Sequence, residues 1–268
     1  MLETSRGCPY GCIYCNKSIF SRIYRVKSPE RVVKEFKKAK EMGFKEIHIT
    51  DDGFTTNMER AEKICNLLIK EKVNIGWSTI TGIRVDRVNE RLLKKMKLAG
   101  CYMVYYGIES GNQKIIENIK KGITLQQVKN AVKWSKEAGL EVAGFFMIGL
   151  PGETEKTMQE TIDFAKSLDL DLAKINITIP LPATEMFNRM QEKKLIKTLD
   201  WEKFKFYSTP KSIYEHENLS WETIEKYYNK FYRKVYLNPR FLLKRIKMSI
   251  EQGTLIDDLK MALTIKWV

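Results

Sequence analysis

The sequence predicts an α/β protein, a partial (β/α)6 TIM-like barrel followed by a C-terminal helical extension. Three observations point there. From residue 28 to residue 180, short apolar runs alternate with capped amphipathic stretches, the pattern of a parallel sheet covered by helices. Gly43, Gly100 and Gly139 follow helical stretches directly, where a helix stops. Beyond Leu181 the alternation ends, and sequence dense in Tyr and Lys takes over.

In order, a short first strand (2–5) leads into a loop that contains three cysteines. Ser28 and Pro29 are an N-cap followed by proline at the first helical position, and that helix runs to Gly43. Strand 46–50 precedes helix 57–72, and strand 75–80 precedes helix 89–98. Strand 102–108 is followed by a helix opened by Thr124, with Gln127 three residues on as a capping box. Strand 142–148 precedes helix 154–168, and strand 172–179 ends at Pro180. Six such units fit an open barrel, whose functional residues belong at the carboxyl ends of the strands. We divide the chain into a barrel (1–195) and an extension (196–268). In the extension, Ser220 opens a helix to about Tyr236, and two shorter helices follow Pro239.

Composition narrows the class. A hydrophobic fraction of 43% in 268 residues supports a substantial core. No apolar run is long enough to span a bilayer. The N-terminus leads straight into the cysteine loop, which does not read as a signal peptide. Five cysteines, three of them clustered, do not form a disulfide framework, so a reducing cytoplasm is expected. Cys65 shares an apolar stripe with Ala61, Ile64 and Leu68, and Cys101 opens an apolar strand; both read as buried small hydrophobes. The net charge is +14 and concentrated: residues 16–40 hold nine Lys/Arg against two acids, and 230–247 hold seven and no acid. The second stretch interleaves Phe231, Tyr232, Tyr236 and Phe241 with its bases. Nucleic acid, an anionic membrane surface and an acidic partner all suit that composition. We favour an amphipathic helix packed on the barrel.

The cysteines carry the chemistry. Cys8, Cys12 and Cys15 stand in Ser-Arg-Gly-Cys-Pro-Tyr-Gly-Cys-Ile-Tyr-Cys, a C-x3-C-x2-C spacing. A fully protein-ligated cubane takes four thiolates, and a closed zinc site takes four ligands. Three thiolates in one loop hold three irons of a [4Fe–4S] cluster and leave the fourth open. The alternative is zinc with three Cys and a distant His, but His48 and His216 both lie far from a zinc-finger spacing.

That motif resembles the signature of the radical S-adenosylmethionine (SAM) superfamily, and the resemblance covers nearly the whole chain. It implies a [4Fe–4S] cluster on Cys8, Cys12 and Cys15, and SAM as co-substrate. Reductive cleavage of SAM would then give methionine and a 5′-deoxyadenosyl radical that takes a hydrogen atom from substrate. An electron donor such as flavodoxin or ferredoxin is implied with it. Asp51 and Asp52 stand where the family usually carries a Gly-Gly-Glu that binds the SAM amino group; an Asx-turn ahead of Asn57 is the competing reading. Arg84, after the third strand, suits the SAM carboxylate, an acidic substrate or a salt bridge to Asp86. Gly-Ile-Glu-Ser-Gly at 107–111 is a strong match, and it assigns Glu109 and Ser110 to the ribose and methionine of SAM. Ile148 resembles the apolar adenine contact, Gly149 the close-approach glycine, and Tyr14 the aromatic beside adenine. Ala183 stands where relatives commonly carry glycine.

The nearest branch pairs this barrel with an N-terminal cobalamin-binding domain, which the sequence lacks together with its Asp-x-His-x-x-Gly motif. Cobalamin is therefore expected only through a partner or a missing domain. The leading reading is a radical SAM enzyme on an unidentified substrate, with methyl transfer as one outcome. A methylthiotransferase-like RNA-modifying enzyme and a non-catalytic iron–sulfur partner subunit are the alternatives.

Overall fold

The computed structural model describes residues 1–16, 18, 21–205, 209–257 and 260. Its centre is a five-stranded parallel sheet. The strands are β3 (Glu46–His48), β4 (Gly76–Ile83), β5 (Cys101–Glu109), β6 (Glu141–Ile148) and β7 (Leu172–Ile177), paired in sequence order. Each is joined to the next by a helical crossover, so the sheet curls into the half-barrel expected from the alternation.

The first strand departs from expectation. Only Leu2 joins the sheet, bridging Ile49 in parallel at its edge. Ser5–Arg6 (β1) instead pairs antiparallel with Arg25–Val26 (β2), making a two-stranded ribbon that closes off the cysteine loop. Thr4 and Ser5 are drawn off the sheet line by their hydrogen bonds to Asp51.

The expected helices are present, each with its cap. They are α1 (Pro29–Glu41), α2 (Met58–Lys70), α3 (Glu90–Leu98), α5 (Leu125–Glu137) and α6 (Glu155–Ser167). Their N-caps are Ser28, Asn57, Asn89, Thr124 and Thr154, and the Thr124–Gln127 capping box is formed. Two short helices were not legible: α4 (Gln113–Asn118) and α7 (Glu185–Glu192).

The C-terminal region packs on the barrel. Helix α8 (Trp221–Tyr236) buries Trp221, Ile224, Tyr227, Phe231 and Val235, and Phe231 meets Phe146 of β6 at 5.3 Å between ring centroids. Its Tyr232 and Tyr236 hydroxyls donate to the Ile175 and Ala173 carbonyls, and Tyr236 also accepts from the Ala173 N–H. The exposed edge of β7 is thereby covered. After it, α9 (Pro239–Gln252) is one helix of 14 residues. The second short helix expected there lies partly outside the described residues.

Candidate active site

The three cysteines sit in a loop fixed from two sides. The backbone N–H of buried Ile13 donates to the Ile119 carbonyl at the end of α4, and its carbonyl accepts from Met186 N–H in α7. Asn16 Nδ2 donates to the Pro182 carbonyl. The two helices missing from the sequence reading are therefore the ones that hold the loop. Gly7 has φ +82°, and a Cβ there would lie 2.2 Å from the Ile23 carbonyl oxygen, so only glycine fits where the ribbon enters the loop. Between Cys8 and Cys12, the Tyr10 ring centroid lies 3.8 Å from the Arg84 guanidinium.

Cys8, Cys12 and Cys15 are not in disulfides and line one cleft of about 740 Å³ at the carboxyl ends of the strands. Tyr14, Asp52, Arg84, Glu109, Lys121 and Met147 share it. Among the described residues, no three His, Cys, Asp or Glu side chains converge as ligands of a single metal ion. A cubane makes a different demand, because each thiolate goes to a different iron. Three solvent-accessible thiols on one glycine-containing loop, facing a cleft of this size, suit such a cluster.

Glu109 is the centre of the opposite wall. It ends β5 with φ +68°, a left-handed conformation that is costly for a non-glycine residue. Tyr14 Oη donates to Glu109 Oε1 at 2.9 Å, and Lys121 Nζ donates to the same oxygen at 2.7 Å and to Tyr14 Oη at 3.3 Å. Glu109 and Lys121 are 7% and 8% exposed, so this is a buried ion pair. Glu109 Oε2 has no hydrogen-bond partner among the described residues, which leaves it able to accept from a bound hydroxyl. Burial disfavours the Lys121 ammonium, but the Glu109 carboxylate and the Cys12 thiolate more than offset it, and its pKa lies above the ordinary lysine value. Burial, with Glu109 beside it, pushes the Tyr14 phenol well up. Lys121 was missed in the sequence because it follows a lysine, in a run that reads as a solvated charged turn.

The two aspartates part company. Asp51 is 1% exposed and is consumed by the Thr4 N–H and the Thr4 and Ser5 hydroxyls. Asp52 is exposed, lines the cleft and accepts from Gly7 N–H at 2.8 Å through Oδ2. Arg84 lines the cleft too, but its Nε donates to Asp86 Oδ1 at 2.8 Å and its Nη2 to Asp86 Oδ2 at 3.2 Å.

Three expected contacts face away from the cleft. The Ser110 hydroxyl is fully buried against Thr161 of α6 and receives the Asn112 N–H. Neighbouring Gly111 packs so tightly on α6 that a Cβ would lie 2.5 Å from Phe164 Cβ. Ile148 is buried behind the sheet, while Met147 lines the cleft, because successive side chains of β6 alternate between faces. Gly149, with φ +75°, lies in the β6–α6 turn and lines a separate cavity of about 210 Å³ with Ile13, Met186 and His216. In that turn buried Glu153 accepts the Gly149 and Leu150 N–H groups at 2.7 and 3.0 Å.

A half-barrel of parallel strands whose upper end holds three thiols, a buried Glu–Lys pair and an exposed carboxylate defines a class of cluster-dependent enzymes. A family model described as the radical SAM superfamily matches residues 2–165, and the chain belongs to that superfamily. An uncharacterized methyltransferase of Pyrococcus horikoshii is 40% identical over 248 residues, covering 92% of this chain and 53% of that one. The anaerobic magnesium-protoporphyrin IX monomethyl ester cyclase of Rubrivivax gelatinosus is 28% identical, covering 89% of this chain and 42% of its own. Among solved structures, the radical SAM methyltransferase TsrM from Kitasatospora setae, with cobalamin and a [4Fe–4S] cluster bound, matches with a TM-score of 0.66 at 20% identity. It covers 71% of this chain and 39% of that chain. The cobalamin-dependent enzyme OxsB, with aqua-cobalamin and SAM bound, matches at 0.67 and 18%, covering 94% and 45%. These structures share the fold. The chain spans about half the length of the curated relatives it matches. The family implies a [4Fe–4S] cluster and SAM.

Proposed function

We propose that this chain is the catalytic barrel of a radical SAM enzyme that removes a hydrogen atom from its substrate and serves a methyl transfer. The observation that carries the reading is the convergence of three cysteine thiols with the Tyr14–Glu109–Lys121 group on one cleft. Cys8, Cys12 and Cys15 would hold the cluster, which, when bound, supplies the electron that cleaves the SAM sulfonium. The chain's own residues then bind and orient. Asp52 accepts from the SAM ammonium, Lys121 pairs with its carboxylate, and Glu109 Oε2 accepts from the ribose hydroxyls. Tyr14 and Met147 give the adenine an aromatic and a polarizable apolar contact. Arg84, already paired with Asp86, steadies the cysteine loop through Tyr10.

Methyl transfer rests on the relatives' names, and cobalamin on those of TsrM and OxsB. A cobalamin-binding partner or further segment would supply it, and a flavodoxin or ferredoxin the electron. Free thiols and an oxygen-sensitive cluster suit the cytoplasm, and among the described residues no helix is long and apolar enough to cross a membrane.

The test is anaerobic reconstitution followed by SAM and dithionite. About four irons and four sulfides per chain are expected, with SAM perturbing the reduced cluster's EPR signal and 5′-deoxyadenosine accumulating. Cys8→Ser, Cys12→Ser and Cys15→Ser should each lose the cluster, and Cys65→Ser should keep it. Stoichiometric zinc, or iron lost with Cys65, would overturn the reading.

A further inference from the structure

Beside the Glu109–Lys121 pair, the inner face of the half-barrel carries Phe145 and Lys174, to which no SAM contact is assigned above. Phe145 of β6 faces the cleft, and its register partners on either side are Gly107 of β5 and Lys174 of β7. Gly82 of β4 borders the same ring: a Cβ there would meet two Phe145 ring carbons at 3.6 Å and the Gly107 nitrogen at 3.7 Å. Gly82 therefore leaves open floor beside one aromatic ring, bounded on the Gly107 side by the Glu109–Lys121 pair. Tyr105 supports that ring, with centroids 5.6 Å apart and planes 32° apart. Lys174 is exposed into the cleft and has no ion-pair partner among the described residues. The other two cleft cations among the described residues are engaged, Arg84 with Asp86 and Lys121 with Glu109 and, in the reading above, with the SAM carboxylate. Asn176 follows on the same face, beside Met147.

Resting on the function proposed above, we infer that this platform seats the substrate and selects a flat, apolar group carrying a carboxylate or phosphate. A glycine next to an aromatic ring makes a flat surface that a planar group can cover by stacking. One cation at the edge of an apolar floor fixes the orientation of a ligand with one anionic group, the usual division of labour in a small-molecule site. A neutral lipid would leave the Lys174 ammonium desolvated without a partner. A nucleic-acid strand would call for several uncommitted cations along the cleft, and among the described residues the cleft offers one.

The experiment is calorimetric titration of the reconstituted full chain with 2-naphthoate, 2-naphthyl phosphate and neutral 2-naphthamide. The anions should bind about tenfold more tightly than the amide, the worth of one charge-assisted contact. Lys174→Gln should abolish that preference, Lys174→Arg should keep most of it, and Phe145→Leu should weaken all three probes. Whichever anion binds more tightly identifies the substrate's group. Binding is read without turnover, so the two proposals fail separately. Lys174-dependent preference in a protein that cleaves no SAM would uphold the seat and sink the radical reading. Preference that survives Lys174→Gln, or binding untouched by Phe145→Leu, would overturn the seat.

Discussion

Lys121 Nζ and Glu109 Oε1 meet at 2.7 Å directly above Gly107, in a space that any larger residue would fill. A Cβ at Gly107 would lie 2.7 Å from that oxygen and 2.8 Å from that nitrogen. The glycine, the strained Glu109 backbone and the buried lysine therefore form one device. It presents Glu109 Oε2 to the cleft while Oε1 is held by Tyr14 and Lys121.

Gly107→Ala tests the device where it is tightest. Both atoms in the way are tips of side chains, so the fold can yield and stability should change little. The pair must rotate, however, and SAM binding should weaken about tenfold or more, the worth of a displaced hydrogen bond to a charged group. Equilibrium dialysis with SAM, alongside iron content, reads both; unchanged affinity would refute the arrangement.

Lys121→Met should be far more damaging to stability. Removing one partner of a buried ion pair leaves the other uncompensated, at a cost of about 3–5 kcal/mol. The double variant Glu109→Gln/Lys121→Met should recover much of that loss. Because the Lys121 pKa is raised, its contribution is fully present below the ordinary lysine pKa of about 10.4 and is lost only as pH rises through the higher folded value. Urea unfolding of the wild type from pH 6 to 9 should therefore show no loss traceable to this lysine. A Lys121→Met deficit under about 1 kcal/mol would mean that the pair is not buried as described.

Glu153 makes an opposite prediction. Burial raises its pKa to about 8, while the Leu150 and Gly149 N–H groups pull it down. Between its ordinary value near 4.5 and pH 8, the folded protein keeps a proton that the unfolded chain has released. Stability contributed by this residue therefore falls as pH rises through that window, at most by about 1.4 kcal/mol per pH unit. Glu153→Gln retains an oxygen for the two N–H groups and cannot titrate. It should gain on the wild type steadily from pH 5 to pH 8 in thermal unfolding, and parallel curves would show that Glu153 is ionised in the fold.

What was legible in the sequence was whatever local chemistry dictates. The caps at Ser28, Thr124 and Ser220 name their helices and accept the expected N–H, and Asn57, Asn89 and Thr154, read as the first residues of their helices, turn out to be the N-caps. The cysteine spacing and the Glu109 strand end were equally plain. What stayed hidden depends on facing. Asp51 and Asp52 are alike in sequence, and only the path of Thr4 and Ser5 decides which of them is consumed. Ile148 and Met147 are both apolar, and the pleat of β6 puts Met147 on the cleft. Helices α4 and α7 are too short for a periodic signal, and Lys121 takes its importance from Glu109, twelve residues away. Ala183 shows the reverse case. It holds φ +61°, which explains physically why glycine suits that position.

The last prediction concerns the basic, aromatic tail. Tyr232 and Tyr236 lie one helical turn apart on α8, and both send their hydroxyls to the backbone of β7. Nothing else among the sheet strands pairs with that edge. Tyr236→Phe removes a donor to the Ala173 carbonyl at 2.7 Å and an acceptor for its N–H at 3.2 Å. The expected cost is about 1–2 kcal/mol, because both backbone groups lose a partner in a partly buried place. Tyr232→Phe, with one bond at 3.1 Å, should cost about 1 kcal/mol or less. An uncovered edge also templates pairing between chains, so the double variant should aggregate on mild heating where the wild type stays monodisperse. Against this stands the RNA-binding reading, which assigns the tail to a nucleic-acid partner. Lys226, Lys230, Arg233 and Lys234 line an outward cleft on α8 and do favour anions. A nucleic-acid role would show as tRNA affinity that falls steeply with salt and disappears when these four are neutralised. Stability lost in the tyrosine variants, with no salt-sensitive tRNA binding in the wild type, would assign the tail to closing the barrel; intact stability with strong tRNA binding would reverse that assignment.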